Sequence, residues 1–90
     1  MKKKAVIFTG SKCGTCHILK NKINERIKNN NSNTNFEEFS IDEKEGRMEA
    51  AKYQVSSLPT VIIFENGMPK NTLVGSVTTI FNKLISEQFI

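Results

Sequence analysis

A chain of 90 residues carrying 13 Lys and Arg against 9 Asp and Glu has the size of one domain with one core, so residues 1–90 are expected to form a single unit. The net charge of +4 is small and scattered, which argues against nucleic acid as a partner, since that needs basic residues gathered on one face. No segment approaches the roughly 18 consecutive apolar residues that cross a bilayer, so no membrane partner is expected either.

The start, Met1-Lys2-Lys3-Lys4, has the charge of an export signal, but the apolar run Ala5-Val6-Ile7-Phe8 stops at Thr9-Gly10. That run is about half the shortest apolar region of a signal peptide, so a cytoplasmic location is expected. Thiols there are kept reduced, and a structural disulfide would not persist. Residues 4 to 9 read instead as a buried strand that delivers the chain to Cys13. From residue 14 to about 28, Leu19, Ile23 and Ile27 recur every four residues with Cys16 one turn before them, the signature of a helix with one face on a sheet.

Residues 29 to 35, five asparagines with one serine and one threonine, form a polar connection. Residues 36 to 41 read as a second strand with Phe39 and Ile41 on one face. A helix over 43 to 53 follows, with Met48, Ala51 and Lys52-Tyr53 on its inner side and Gly46 weakening its first turn. Thr60-Val61-Ile62-Ile63-Phe64 is the most strand-like run, and Glu65-Asn66-Gly67 is a hairpin turn in which Asn-Gly supplies positive φ. The return strand covers about 69 to 74 and starts at Pro69, which lacks an amide donor and belongs at a strand start or edge. Residues 77 to 89 close the chain with the helical stripe Ile80, Phe81, Leu84, Ile85, Phe89. The order is β-α-β-α-β-β-α, an α/β fold. Helices after the first two strands imply right-handed crossovers and parallel neighbours, and the hairpin adds an antiparallel edge.

Two cysteines placed at random in a chain this long would fall three apart only about 2% of the time, so the Cys13-Gly14-Thr15-Cys16 spacing is informative. Disulfide exchange needs an accessible thiolate, a second thiol close enough to resolve the mixed disulfide, and a positive environment for the first sulfur. Cys13 falls between a strand and a helix start, where free amides and the helix dipole favour a negative charge. Lys12 acts in the same direction. Cys16, one turn on and on the face of Leu19 and Ile23, is expected to be the more buried thiol. Cys13 is therefore the attacking residue and Cys16 the resolving one, while Gly14 lets a partner backbone approach and Thr15 has no titratable role.

Cys13-Gly14-Thr15-Cys16 after a short apolar strand, together with Leu58-Pro59-Thr60 leading into the third strand, Asn66-Gly67 and Val74-Gly75, resembles the thioredoxin family from residue 4 to the end of the chain. The resemblance implies a thioredoxin fold, a four-stranded mixed sheet flanked by three helices. It implies a protein thiol-disulfide oxidoreductase, and a substrate groove formed by Lys12, Gly14, Thr15, Leu58, Pro59 and Gly75 around the cysteines. Only about 5% of bonds before proline are cis, so chain physics alone favours trans at Leu58-Pro59; the resemblance implies cis. It also exposes departures. Lys12 stands where the family usually has tryptophan, Ile7 stands where it has a buried acid, and the opening strand and helix of a full-length member are missing. In these respects the chain is similar to glutaredoxins and to short thioredoxins of glutaredoxin size.

The favoured function is a monomeric protein-disulfide reductase with no cofactor beyond its redox-active cysteine pair and no metal. Its partners are disulfide-containing proteins and an electron donor, either a reductase or glutathione. A glutathione-dependent enzyme of glutaredoxin type is the first alternative, although Ser57-Leu58-Pro59 and Gly75-Ser76-Val77-Thr78 match the glutathione-binding pattern weakly. A non-catalytic binding module of the same fold is the second. Cys16-His17 also completes a c-type haem signature for which Met48 or Met68 could be the second axial ligand, but the β-rich chain argues against it. Two cysteines and the adjacent His17 cannot fill a tetrahedral zinc site; an iron-sulfur cluster shared between two chains meets fewer geometric objections.

Overall fold

In a computed structural model of the chain, which describes residues 3–30 and 35–90, the first strand is β1 (Lys3–Thr9). Its middle, Ala5-Val6-Ile7-Phe8, is buried on both faces, which is why it reads as an unbroken apolar run and not as an alternation. Ala5 and Ile7 join one core cluster, and Val6 and Phe8 join the other, as the two-residue period of a strand requires. Helix α1 (Gly14–Asn29) turns Cys16, Leu19 and Ile23 inward. It takes in the first asparagine of the expected polar connection, and residues 31 to 34 of that connection lie outside the described residues.

Next come β2 (Phe36–Ser40), α2 (Lys44–Lys52), β3 (Thr60–Glu65), β4 (Met68–Leu73) and α3 (Val77–Ser86). The sheet order is β2-β1-β3-β4, giving the expected β-α-β-α-β-β-α fold with a mixed sheet. One face is packed by α1 and α3 through Leu19, Ile23, Ile80 and Leu84. The other carries Ala50 and Tyr53 from the α2 region.

Strand direction departs from expectation in one place. β1 and β2 are parallel, as a helical crossover predicts, but β3 is antiparallel to β1 and does not neighbour β2. The reason lies in the connection. α2 has only 9 residues, and the chain then returns through residues 53 to 59 to the sheet end where β1 and β2 finish, so that Thr60 pairs with Phe8.

The inner face of α2 also needs correction. Met48 is 62% exposed, and Ala51 and Lys52 are exposed as well; Gly46 and Ala50 face inward. Gly46 is not a weak point. A Cβ there would collide with the backbone carbonyl of Ser40 at the end of β2, so glycine is what allows the helix to approach the strand this closely.

The hairpin forms as read, with positive φ at Asn66 (55°) and Gly67 (84°). β4 begins one residue before Pro69, and a register shift between Ile63 and Phe64 places Phe64 opposite that proline. α3 starts on a side-chain cap, Ser76 Oγ accepting from the Thr79 amide. It ends three residues before the predicted stop because Gln88 adopts a left-handed φ of 59°. The Phe89 amide then donates to the Leu84 carbonyl at 3.0 Å, and the Phe89 ring packs edge-on against Phe36. The apolar stripe predicted there is thus real at Phe89 although the helix is not.

Candidate active site

Cys13 is the N-cap of α1, with extended φ and ψ of −98° and 96°, and its amide donates to the Gly10 carbonyl at 3.1 Å. The turn from Gly10 to Cys13 therefore ends with the sulfur standing at the start of the helix. Cys13 Sγ accepts from the Cys16 amide at 3.2 Å and lies 3.5 Å from the Thr15 hydroxyl. An N-cap acceptor of this kind satisfies one of the free amides of the first turn and sits at the positive end of the helix dipole. These groups favour negative charge on Cys13 Sγ when the pair is reduced.

Cys13 and Cys16 form a disulfide with their Cα atoms 5.3 Å apart. The two sulfurs differ in access, because Cys13 is partly exposed whereas Cys16 has no exposed surface.

Topology gathers the other sequence-predicted residues at the same end of the sheet. The Leu58-Pro59 bond is cis, as the resemblance implied, and it immediately precedes Thr60, which pairs with Phe8 near the end of β1. Leu58 is half-buried and reaches back to the loop before Cys13: a Cβ on Gly10 would stand 3.2 Å from its Cδ1. Leu73 pairs with Val61, which brings Val74 and Gly75 to this end too, and Gly75 has a φ of 118° that a side chain would strain. Gly14 faces open space, with nothing within 4 Å of a built Cβ. Lys12 and Thr15 are exposed beside it. His17 is exposed on α1, while Met68 opens β4 opposite Glu65, at the far end of the sheet, so these two do not share a haem face. Among the described residues no group of three His, Cys, Asp or Glu is placed to hold a metal.

Three polar residues at this end carried no motif. Asp42 accepts the Ser11 amide at 2.8 Å. Hydrogen bonds from the Ser11 side chain and backbone, assisted by Ser40 and Lys12, hold its carboxyl below the ordinary value of 3.8. Glu38 accepts from the buried Thr9 hydroxyl at 2.6 Å and from Lys20 at 3.0 Å. Burial pushes its carboxyl up, but the Thr9 and Lys20 hydrogen bonds and the charges of Lys20 and His17 outweigh this and lower it on balance. The only trace of Glu38 in the sequence is the imperfect alternation of β2, where Glu37 and Glu38 interrupt the apolar positions.

The sequence profile named Thioredoxin matches residues 1–87. The chain belongs to the thioredoxin family. A thioredoxin of Staphylococcus epidermidis is 32% identical over 72 residues, covering 80% of this chain and 67% of that protein. One of Staphylococcus aureus is 31% identical over 70 residues, covering 78% and 65%. Among solved structures, oxidised thioredoxin O2 of Arabidopsis thaliana superimposes with a TM-score of 0.78 at 25% identity, over 98% of this chain and 76% of that one. The reduced Schistosoma mansoni thioredoxin pre-protein gives 0.77 at 27%, over 99% and 80%. With the cysteine pair in place, this thioredoxin-family chain is a thiol-disulfide oxidoreductase that acts by dithiol exchange through Cys13 and Cys16.

Asp42 gives the thioredoxin site a measurable pH signature. A carboxyl with a lowered folded-state value adds stability that is present above its unfolded value and lost as pH falls through the folded one. Asp42→Asn should therefore lower the urea midpoint at neutral pH, with the gap to wild type closing as the solution is acidified below the ordinary carboxylate range. A gap that stays constant with pH would show that Asp42 contributes no charge-dependent stability.

Proposed function

We propose that this thioredoxin-family protein is a protein-disulfide reductase of the cytoplasm. The observation that carries the direction of the mechanism is the asymmetry of the pair: Cys13 is reachable, capped by an amide and at a helix start, and Cys16 is sealed beneath it. Cys13 thiolate attacks a partner's disulfide, the partner's first sulfur leaves, and a mixed disulfide forms. Cys16 then attacks Cys13 Sγ, the second partner sulfur leaves reduced, and the pair ends as the disulfide. No bound cofactor or metal is required, because the two electrons are carried by the cysteines themselves.

Lys12, Gly14, Thr15, Leu58, Pro59 and Gly75 form the docking surface for the partner's extended segment. Gly14 and Gly75 leave room for a backbone, and Leu58 supplies apolar contact. Exposed Ile18 and Val74, at 54% and 49%, extend that apolar surface on either side. Charged Glu37 and Glu38 on the β2 edge oppose edge-to-edge pairing of two copies and support a monomer. A thioredoxin reductase is favoured over glutathione as the electron donor, because Ser57-Leu58-Pro59 and Gly75-Ser76-Val77-Thr78 match the glutathione-binding pattern weakly.

Insulin reduction tests this directly. The protein should accelerate insulin precipitation with dithiothreitol and with NADPH plus thioredoxin reductase, and should do so weakly with glutathione and its reductase. Failure with all three donors would remove the general-reductase reading.

A further inference from the structure

The two faces of the sheet are covered unequally. α1 and α3 pack together on one face, whereas α2, with 9 residues, is the only helix among the described residues on the other. It crosses that face aslant. Gly46 lies against the Ser40 carbonyl at the end of β2, and the Tyr53 ring meets Phe64 of β3 at 5.3 Å. Phe64 pairs with Lys4 at the start of β1, so the corner over the starts of β1 and β2 is left without a helix. A cavity of about 820 Å³ occupies this corner, room for several side chains at once.

The floor of the cavity is apolar and one wall is acidic. Val6 and Phe64 form the floor, with half-buried Phe39 beside them. Glu45, Glu49 and Tyr53 border it at every fourth residue, and so line one flank of α2 over about 12 Å. Across from them Lys4 pairs with Glu37 at 3.0 Å, and the two charges offset each other. Lys3 also borders the cavity, but its side chain alternates to the opposite face of the sheet with Ala5 and Ile7. Among the described residues no base pairs with Glu45 or Glu49, and Glu49 is half-buried. Two negative charges thus stand uncompensated beside an aromatic floor, on a chain whose net charge is +4. The rings here already hold cations: Lys4 Nζ lies 6.0 Å from the centre of Phe64, and Lys52 Nζ 5.3 Å from that of Tyr53.

We infer that this corner is a docking site for a cationic amphipathic helix of a partner protein. A helix satisfies its own backbone hydrogen bonds, as an occupant of an apolar floor must. Laid along α2, it covers Val6, Phe39 and Phe64 with its apolar stripe. Lys or Arg residues one turn apart on its flank then meet Glu45 and Glu49, which are themselves one turn apart. A second copy of the chain does not supply such a helix, because α1 and α3 have their apolar stripes buried in their own core. The corner lies at the opposite end of the sheet from Cys13, which follows the end of β1. Docking there leaves the disulfide open and raises the local concentration of the partner's own disulfide.

The test titrates the full chain into a short Leu-Lys peptide patterned as an amphipathic helix, with Lys residues one turn apart and a single Trp on the apolar face. The chain has no Trp, so indole emission reports the peptide alone. It should shift to the blue and saturate at one peptide per chain, and difference circular dichroism should show added helix. Amide shifts in nitrogen-15 spectra should cluster at Val6, Phe39, Glu49 and Tyr53 and leave Cys13 and Cys16 unmoved. Glu45→Gln and Glu49→Gln together should weaken binding about tenfold and remove most of its salt dependence, with insulin reduction unchanged. The same peptide with Glu in place of every Lys should not bind. Equal affinity of the double variant, binding of the acidic peptide, binding without added helix, or shifts centred on Cys13 would each overturn the proposal. Self-association of the chain in sedimentation that the double variant loses would overturn it too, by giving the corner to a second copy.

Discussion

Cys16→Ser should stop turnover while leaving the first attack intact, so the variant accumulates as a covalent complex with its partner. Cys13 keeps its N-cap position, its amide donor from residue 16 and its exposure, and none of these depends on the Cys16 sulfur. The missing thiolate removes the only nearby nucleophile for the mixed disulfide. Reduction of insulin should fall by about three orders of magnitude, to the level of the uncatalysed thiol reaction. On a non-reducing gel the variant should run as a higher-mass adduct that dithiothreitol releases. Cys13→Ser should lose activity equally and trap nothing, because Cys16 is sealed. Adducts on both variants, or on neither, would contradict the assigned order of attack.

Gly46→Ala is the second substitution with a large expected effect, and its sign is opposite to that of the usual helix rule. Inside an exposed helix, replacing glycine by alanine gains about 1 kcal/mol. Gly46, however, is buried within α2, and the added methyl would enter the carbonyl of Ser40, a backbone group with no rotamer through which to move aside. α2 must then lift from the end of β2, loosening Ala50 and the half-buried Tyr53, which packs edge-on against Phe64 at 5.3 Å. A loss of about 2–3 kcal/mol follows from overpacking of this kind. In a domain of this size that is a drop in melting temperature of roughly 10–20 °C. Gly14→Ala is the matched control, since a Cβ there meets nothing within 4 Å. It should be close to neutral for stability. Thermal unfolding that places Gly46→Ala at or above wild type would show that the approach of α2 to β2 is not what glycine is for.

The candidate site was unevenly legible. Cys13 and Cys16 stood out because their spacing and their place after an apolar run are local facts, and the N-cap geometry follows from that place. Leu58, Pro59 and Gly75 could be named only through the family resemblance, since they lie 42 or more positions beyond Cys16 in the chain and only strand pairing joins them. Asp42, Thr9 and Glu38 had no signal of that kind. A carboxylate on an edge strand looks like ordinary surface until the partner on another element is known. The reversal of β3 was hidden for the same reason: a strand's direction depends on where the preceding connection releases the chain, and residues 53 to 59 carry no periodic pattern.

What the sequence determined by itself was therefore the set of elements and the identity of the reacting pair. The buried run of β1, the inward stripe of α1, the Asn66-Gly67 turn and the two cysteines three apart all rest on interactions within a few residues. Tertiary structure alone decided which helix faces turn inward at α2, which way β3 runs, and which polar groups surround the disulfide. Those outcomes depend on contacts between elements distant in the chain, such as Gly46 against Ser40 and Thr9 against Glu38. Their energies exist only once the sheet has brought the partners together.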